Sequence, residues 1–144
     1  MCCEGKTYHD LGLLALRIGL AVVFIVAGVM KWAMWQASPE SLGMSANMLM
    51  LMKALSVIEP LAGIALLLGI WTHWAAKVTG IIMIGAIYFM IQVMHVGFAT
   101  PTGPGWEFPL VLFLMSIAVM FLGAGKYSLD EALAKKGTSA PPAA

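Results

Sequence analysis

Four long apolar stretches dominate the pattern along this chain, and its polar residues gather between them. The first runs from Leu11 to about Trp35, the second from about Met48 to Trp71, the third from about Trp74 to Gly97, and the fourth from about Trp106 to Gly123. Each is longer than a buried strand and near the roughly 20 helical residues that cross a hydrocarbon layer. Backbone polar groups in lipid must be satisfied within their own segment, so the stretches are predicted as helices. The connections QASPESLGMSAN, THW and FATPTGPG are short and carry Ser, Pro and Gly. The pattern predicts an all-α, integral membrane, up-down-up-down four-helix bundle over residues 11–133, closing with a short cytoplasmic piece. Residues 1–10 read as an N-terminal tail and 134–144 as a disordered C-terminal tail.

Composition removes the soluble alternative. The 144 residues are 61% hydrophobic and 10% charged, whereas a soluble domain carries about 25% charged residues. The net charge of +1 comes with no basic stripe, so no nucleic-acid partner is expected. Lys6, Lys77, Lys126, Lys135 and Lys136 flank one side of the predicted bundle, with Lys31 and Lys53 toward the other. The positive-inside rule then places both termini in the cytoplasm, in a bacterial-type inner membrane. All five tryptophans fall near predicted helix ends, as interfacial aromatic belts require.

Polar residues at membrane depth are costly, which makes them the candidates for chemistry. Arg17 and Lys31 stand fourteen residues apart, nearly a whole number of helical turns, and share one face with Phe24 and Gly28. The second helix carries Glu59-Pro60 near its middle, where proline breaks the backbone ladder beside a carboxyl group. Tyr88, Gln92 and His95 make one stripe of the third helix. The fourth opens with Trp106 and Glu107, an anion in its first turn. Two readings stand side by side. In one, Lys31, Glu59, Tyr88, Gln92, His95, Trp106 and Glu107 wall a polar pocket for a ligand. In the other, the charges only hold the bundle in register, Lys31 with Glu107 and Arg17 with Glu59.

Other signals are weaker. GAGKYSLDEAL, Gly123 to Leu133, fails the phosphate-loop spacing, because Met120 stands where the first glycine belongs and Tyr127 separates Lys126 from Ser128. It reads instead as a helix exit followed by a Ser128-x-x-Glu131 capping box. Cys2 and Cys3 are adjacent and support neither a disulfide framework nor a zinc site. His9, His73 and His95 do not meet the demands of haem ligation, and Met48, Met50 and Met52 alternate around a helix rather than converge on a metal. No metal and no haem are expected.

LRIGLAVVFIVAGVMK, IEPLAGIALLLGIWTH, GWEFPL and GAGKYSLDEAL, in this order, resemble the DoxX family over about residues 11–133. The family's motif positions fall on Arg17, Lys31, Glu59, Glu107 and Asp130; Lys126 stands where relatives often have arginine. The resemblance implies a small four-helix inner-membrane protein, often a subunit of a quinone-linked oxidoreductase. It implies a quinone as ligand, membrane lipids as neighbours and a partner oxidoreductase protein supplying electrons, and it leaves room for a homo-oligomer. The alternative is a non-catalytic membrane scaffold or assembly factor.

Overall fold

The computed structural model describes residues 2–101 and 103–138, with side chains for 8–101 and 103–135. Helix α1, Cys2–Met30, continues into a tighter 3-10 segment, Lys31–Gln36. A single turn, α2 (Pro39–Leu42), follows, with Ser38 capping it, and α3 spans Ala46–Leu68 with Ser45 as its cap. Then come α4 (Thr72–Gln92), α5 (Glu107–Leu122) and α6 (Leu129–Thr138). Among the described residues there is no strand, only an isolated bridge between Thr100 and Gly103.

The four expected helices are present with three corrections. Helix α1 begins nine residues before Leu11 and takes in most of the expected 1–10 tail. Nothing there stops a helix, and each residue added to one gains a hydrogen bond without a new nucleus. Helix α4 ends at Gln92 rather than near Gly97, because the carbonyls of Gly97 and Phe98 accept from the amides of Trp106 and Glu107 and close a loop. Helix α6 extends to Thr138, into the segment expected as a tail; residues 139–144 and the Cys2 and Cys3 side chains lie outside the described residues.

The contacts run in opposite orders along the paired helices. Arg17 meets Leu66 while Lys31 meets Glu59 and Trp32 meets Ser56, so α1 and α3 are antiparallel. His73 meets Met120 while Thr79 meets Ser116, so α4 and α5 are antiparallel too. These two pairs are tightly packed, and they touch each other more sparingly. The first pair owes its closeness to small residues. A Cβ on Gly28 would collide with the Pro60 ring, and one on Gly63 would lie 2.8 Å from Ile25 Cγ1.

The core combines Leu20, Phe24, Leu66, Met83, Leu112 and Val119 with buried Arg17, Ser56, Glu59, Thr79 and Ser116. The outer surface carries Val22, Val26, Leu61, Ile64, Ile81, Ile84, Val111 and Leu114. Polar groups inside and aliphatic groups outside reverse the arrangement of a water-soluble bundle. Among the described residues, three helices are long and apolar enough to cross a membrane, and α5 is a shorter apolar helix of 16 residues.

Candidate functional site: an apolar cavity with an ion pair in its wall

A cavity of about 470 Å³ lies between α1, α3, α4 and α5. Its wall is aliphatic and aromatic, with Phe24, Leu55, Ile82, Phe89 and Leu112 among the lining residues. The charged residues on it are Lys31 and Glu59. Their ion pair measures 2.6 Å, with the Glu59 side chain 4% exposed and that of Lys31 21%. The Lys31 ammonium also donates to the carbonyl of Ala27 at 3.2 Å. With two of its three hydrogens so engaged, the ammonium has one left to offer a ligand.

Pro60, inside α3, positions this pair. Proline has no N–H to give the carbonyl four residues earlier, that of Ser56. Trp32 Nε1 donates to that carbonyl at 2.9 Å, and Trp35 Nε1 donates to the Ser56 hydroxyl at 2.8 Å. The Ser56 hydroxyl in turn donates to Lys53 O at 2.6 Å. The 3-10 winding of 31–36 sets two residues three apart on one line, which brings both indoles to one serine. Lys31, at the start of that segment, is thereby held against Glu59. The hydrophobic pattern marks Trp32 and Trp35 only as membrane-interface residues and gives Ser56 no role. The signal was present: Ser56 stands four residues before a proline in a helix.

The structure gathers only part of the expected pocket. Lys31 and Glu59 face the cavity, and the other five candidates do not line it. Tyr88 is 66% exposed on the outer surface, and Gln92 and His95 are exposed beyond the last turn facing the cavity. His95 adopts a left-handed backbone at φ +51°, outside any helical stripe. Trp106 packs edge-on against Phe98 with ring centroids 4.7 Å apart. Glu107 Oε2 is buried beside Gly105, without a hydrogen-bond partner among the described residues. The expected pairs are corrected as well. Lys31 bonds Glu59 rather than Glu107, because helix α3 brings its carboxylate to the same level. Arg17 does not reach Glu59, two turns away on α3.

Arg17 instead makes a structural knot at the opposite end of the bundle. Fully buried, it donates from Nε to Leu66 O at 2.9 Å, from Nη2 to Leu67 O at 3.2 Å, and from Nη1 to Ala124 O and Tyr127 O at 2.6 and 3.0 Å. Leu66 and Leu67 belong to the last turn of α3, whose carbonyls have no intrahelical partners, so a cation is favoured there. Gly69 makes the room, since a Cβ there would strike the guanidinium.

Asp130 completes the knot. Its carboxylate accepts from Trp71 N at 2.9 Å and Thr72 N at 3.0 Å, capping the start of α4 from α6. Ser128 caps α6 by accepting from Glu131 N at 3.2 Å, and Lys126 N donates to Asp10 at 3.2 Å. Burial pushes the Asp130 carboxyl up, but the Thr72 and Trp71 amides and the nearby Arg17 charge outweigh it and hold it below the usual range. The terminal motif is thus a clasp. It joins α6 to the ends of α3 and α4.

Comparison with known proteins fits this architecture. The DoxX family model matches residues 12–92, more than half of the chain. An uncharacterised protein of Haemophilus influenzae is 31% identical over 131 residues, covering 91% of this chain and 97% of its own length. That span is too long to leave out α5. No solved structure matches this chain. With its apolar exterior and membrane-length helices, the chain belongs to the DoxX family of membrane proteins.

Proposed function

We propose that this protein is the ligand-binding membrane subunit of a quinone-linked oxidoreductase. Its cavity receives a quinone-like head group, and a partner protein supplies the electrons. The observation that carries the reading is one ion pair in the wall of an otherwise apolar cavity. Volumes of about 300–1,000 Å³ with few convergent polar groups are typical of small-molecule sites. Lys31 offers a donor to a quinone oxygen, and Glu59 offers an acceptor to a quinol hydroxyl. The lysine distribution supports an inner-membrane orientation with both termini cytoplasmic, which puts the Arg17–Asp130 clasp on the cytoplasmic side.

Equilibrium titration of ubiquinone and menaquinone analogues into the purified protein tests this. Saturable binding is expected, weakened about tenfold or more in Lys31→Met and Glu59→Gln. Glu107→Gln, outside the cavity, is expected to bind as the wild type does. A non-saturable response common to all four proteins would remove the proposal.

The scaffold reading rests on a different observation, the density of hydrogen bonds at the Arg17 knot. It would be favoured if an intact fold sufficed for activity in cells while Lys31 and Glu59 variants that fold normally had no phenotype.

A further inference from the structure

Gly85 stands in the interior of α4, lines the cavity, and is exposed on the outer surface. A Cβ added there would meet nothing within 4 Å, whereas those on Gly28, Gly63 and Gly69 would collide with protein. Glycine is less favourable than alanine within a helix, so packing within this chain gives Gly85 no reason to be glycine. Two neighbours share its double position: Leu51 on α3 and Ile81 on α4 line the cavity and are about half or more exposed outside. Phe108, at the start of α5, does the same at another edge. Leu51, Ile81 and Gly85 mark a mouth on the side of the bundle, between α3 and α4, where the two tight helix pairs touch sparingly.

We infer that this mouth is a lateral gate. It admits a quinone from the lipid phase, with the hydrocarbon tail lying over Gly85 and between α3 and α4. The inference rests on the quinone reading of the cavity and specifies its ligand as a tailed, membrane-dissolved form. The rim is aliphatic and continuous with the surrounding aliphatic exterior. In a bilayer such a surface faces acyl chains, so whatever enters there is already dissolved in them. A head group carried inward by this route meets Lys31 and Glu59 at the cavity wall. The tail remains at the rim, where a residue without a side chain leaves it a path.

The experiment places wild type, Gly85→Ala, Gly85→Phe, Ile81→Phe and Gly12→Phe in lipid nanodiscs. Two probes are titrated to equilibrium: a benzoquinone with a decyl tail and the same head group without one. Gly12 is also helical with open space at its Cβ, but lies away from the cavity, so it controls for the aromatic ring itself. Gly85→Phe and Ile81→Phe are expected to weaken binding of the tailed probe by about tenfold and leave the tail-less probe within about twofold. Gly12→Phe is expected to match the wild type for both, and Gly85→Ala to weaken the tailed probe less than Gly85→Phe does. If Gly85→Phe does not fold, Ile81→Phe carries the test on the same rim. Wild-type affinity for the tailed probe in the folded rim variants would overturn the gate and leave the quinone reading intact. A wild type that binds neither probe would overturn both.

Discussion

The Trp32 indole donates to the Ser56 carbonyl at 2.9 Å, the carbonyl that Pro60 deprives of its helical partner. A side chain from one helix thus repairs a backbone defect in the next. The repair is local to the cavity, because Lys31 precedes Trp32 and Glu59 precedes Pro60. A proline that would otherwise leave an unsatisfied carbonyl at membrane depth becomes the feature that holds a lysine against a glutamate.

This coupling is measurable. Trp32→Phe alone is expected to lower stability by about 1–3 kcal/mol, since it leaves a buried carbonyl unpaired. In a Pro60→Ala background the helix supplies its own amide, and the same change is expected to cost only a few tenths of a kcal/mol. Chemical or thermal unfolding in detergent of the four proteins gives the coupling energy. Equal costs in both backgrounds would contradict it.

Arg17 is expected to be intolerant of both loss and conservative exchange. Arg17→Ala strips four carbonyls of their donor and is expected to cost about 3–5 kcal/mol. Arg17→Lys keeps the charge, but one ammonium cannot span acceptors on α3 and on the segment between α5 and α6, so most of that loss is expected to remain. Melting temperatures of the two variants check this directly.

Asp130 gives the clasp a pH dependence whose sign is fixed. Its carboxyl is held low in the folded protein, so its stabilisation is present above the unfolded value of about 3.9 and is lost as pH falls through the lower folded value. Wild type is expected to lose melting temperature below about pH 4. Asp130→Asn is expected to start lower and to change less over that range. Parallel curves for the two would show that this carboxylate does not hold the clasp.

Gly28 is expected to be intolerant of any side chain. Gly28→Val would drive its branches into the Pro60 ring, and overpacking of this kind costs about 1–3 kcal/mol. Its equilibrium unfolding, compared with Gly12→Val, which has open space, separates the contact from the general effect of a β-branched residue in a helix.

How much of this was legible in the sequence depends on the range of the interaction. The four helices follow from hydrophobic runs, and Glu59-Pro60 and Arg17 stand out because charge and proline are costly in lipid. Pairing is a different matter. Whether Lys31 meets Glu59 or Glu107 depends on the axial offset of α1 against α3, which Gly28 and Gly63 set by letting the helices close. The His95 stripe failed because a helical spacing has meaning only while the helix continues, and the Gly97 and Phe98 carbonyls are taken by the amides of Trp106 and Glu107. GAGKYSLDEAL is a helix exit and cap, as its glycines and its Ser-x-x-Glu spacing predict. Its Asp130 reaches α4, a contact across 58 residues that local pattern cannot express.

The most direct measurement is the quinone dissociation constant of the exchanged pair, Lys31→Glu with Glu59→Lys, set beside its melting temperature. If Lys31 and Glu59 recognise a head group, the exchange is expected to recover the stability lost by either single reversal. Affinity is expected to stay about tenfold or more below wild type, because donor and acceptor have traded places. Affinity that returned in full along with stability would mean that the two charges serve only each other.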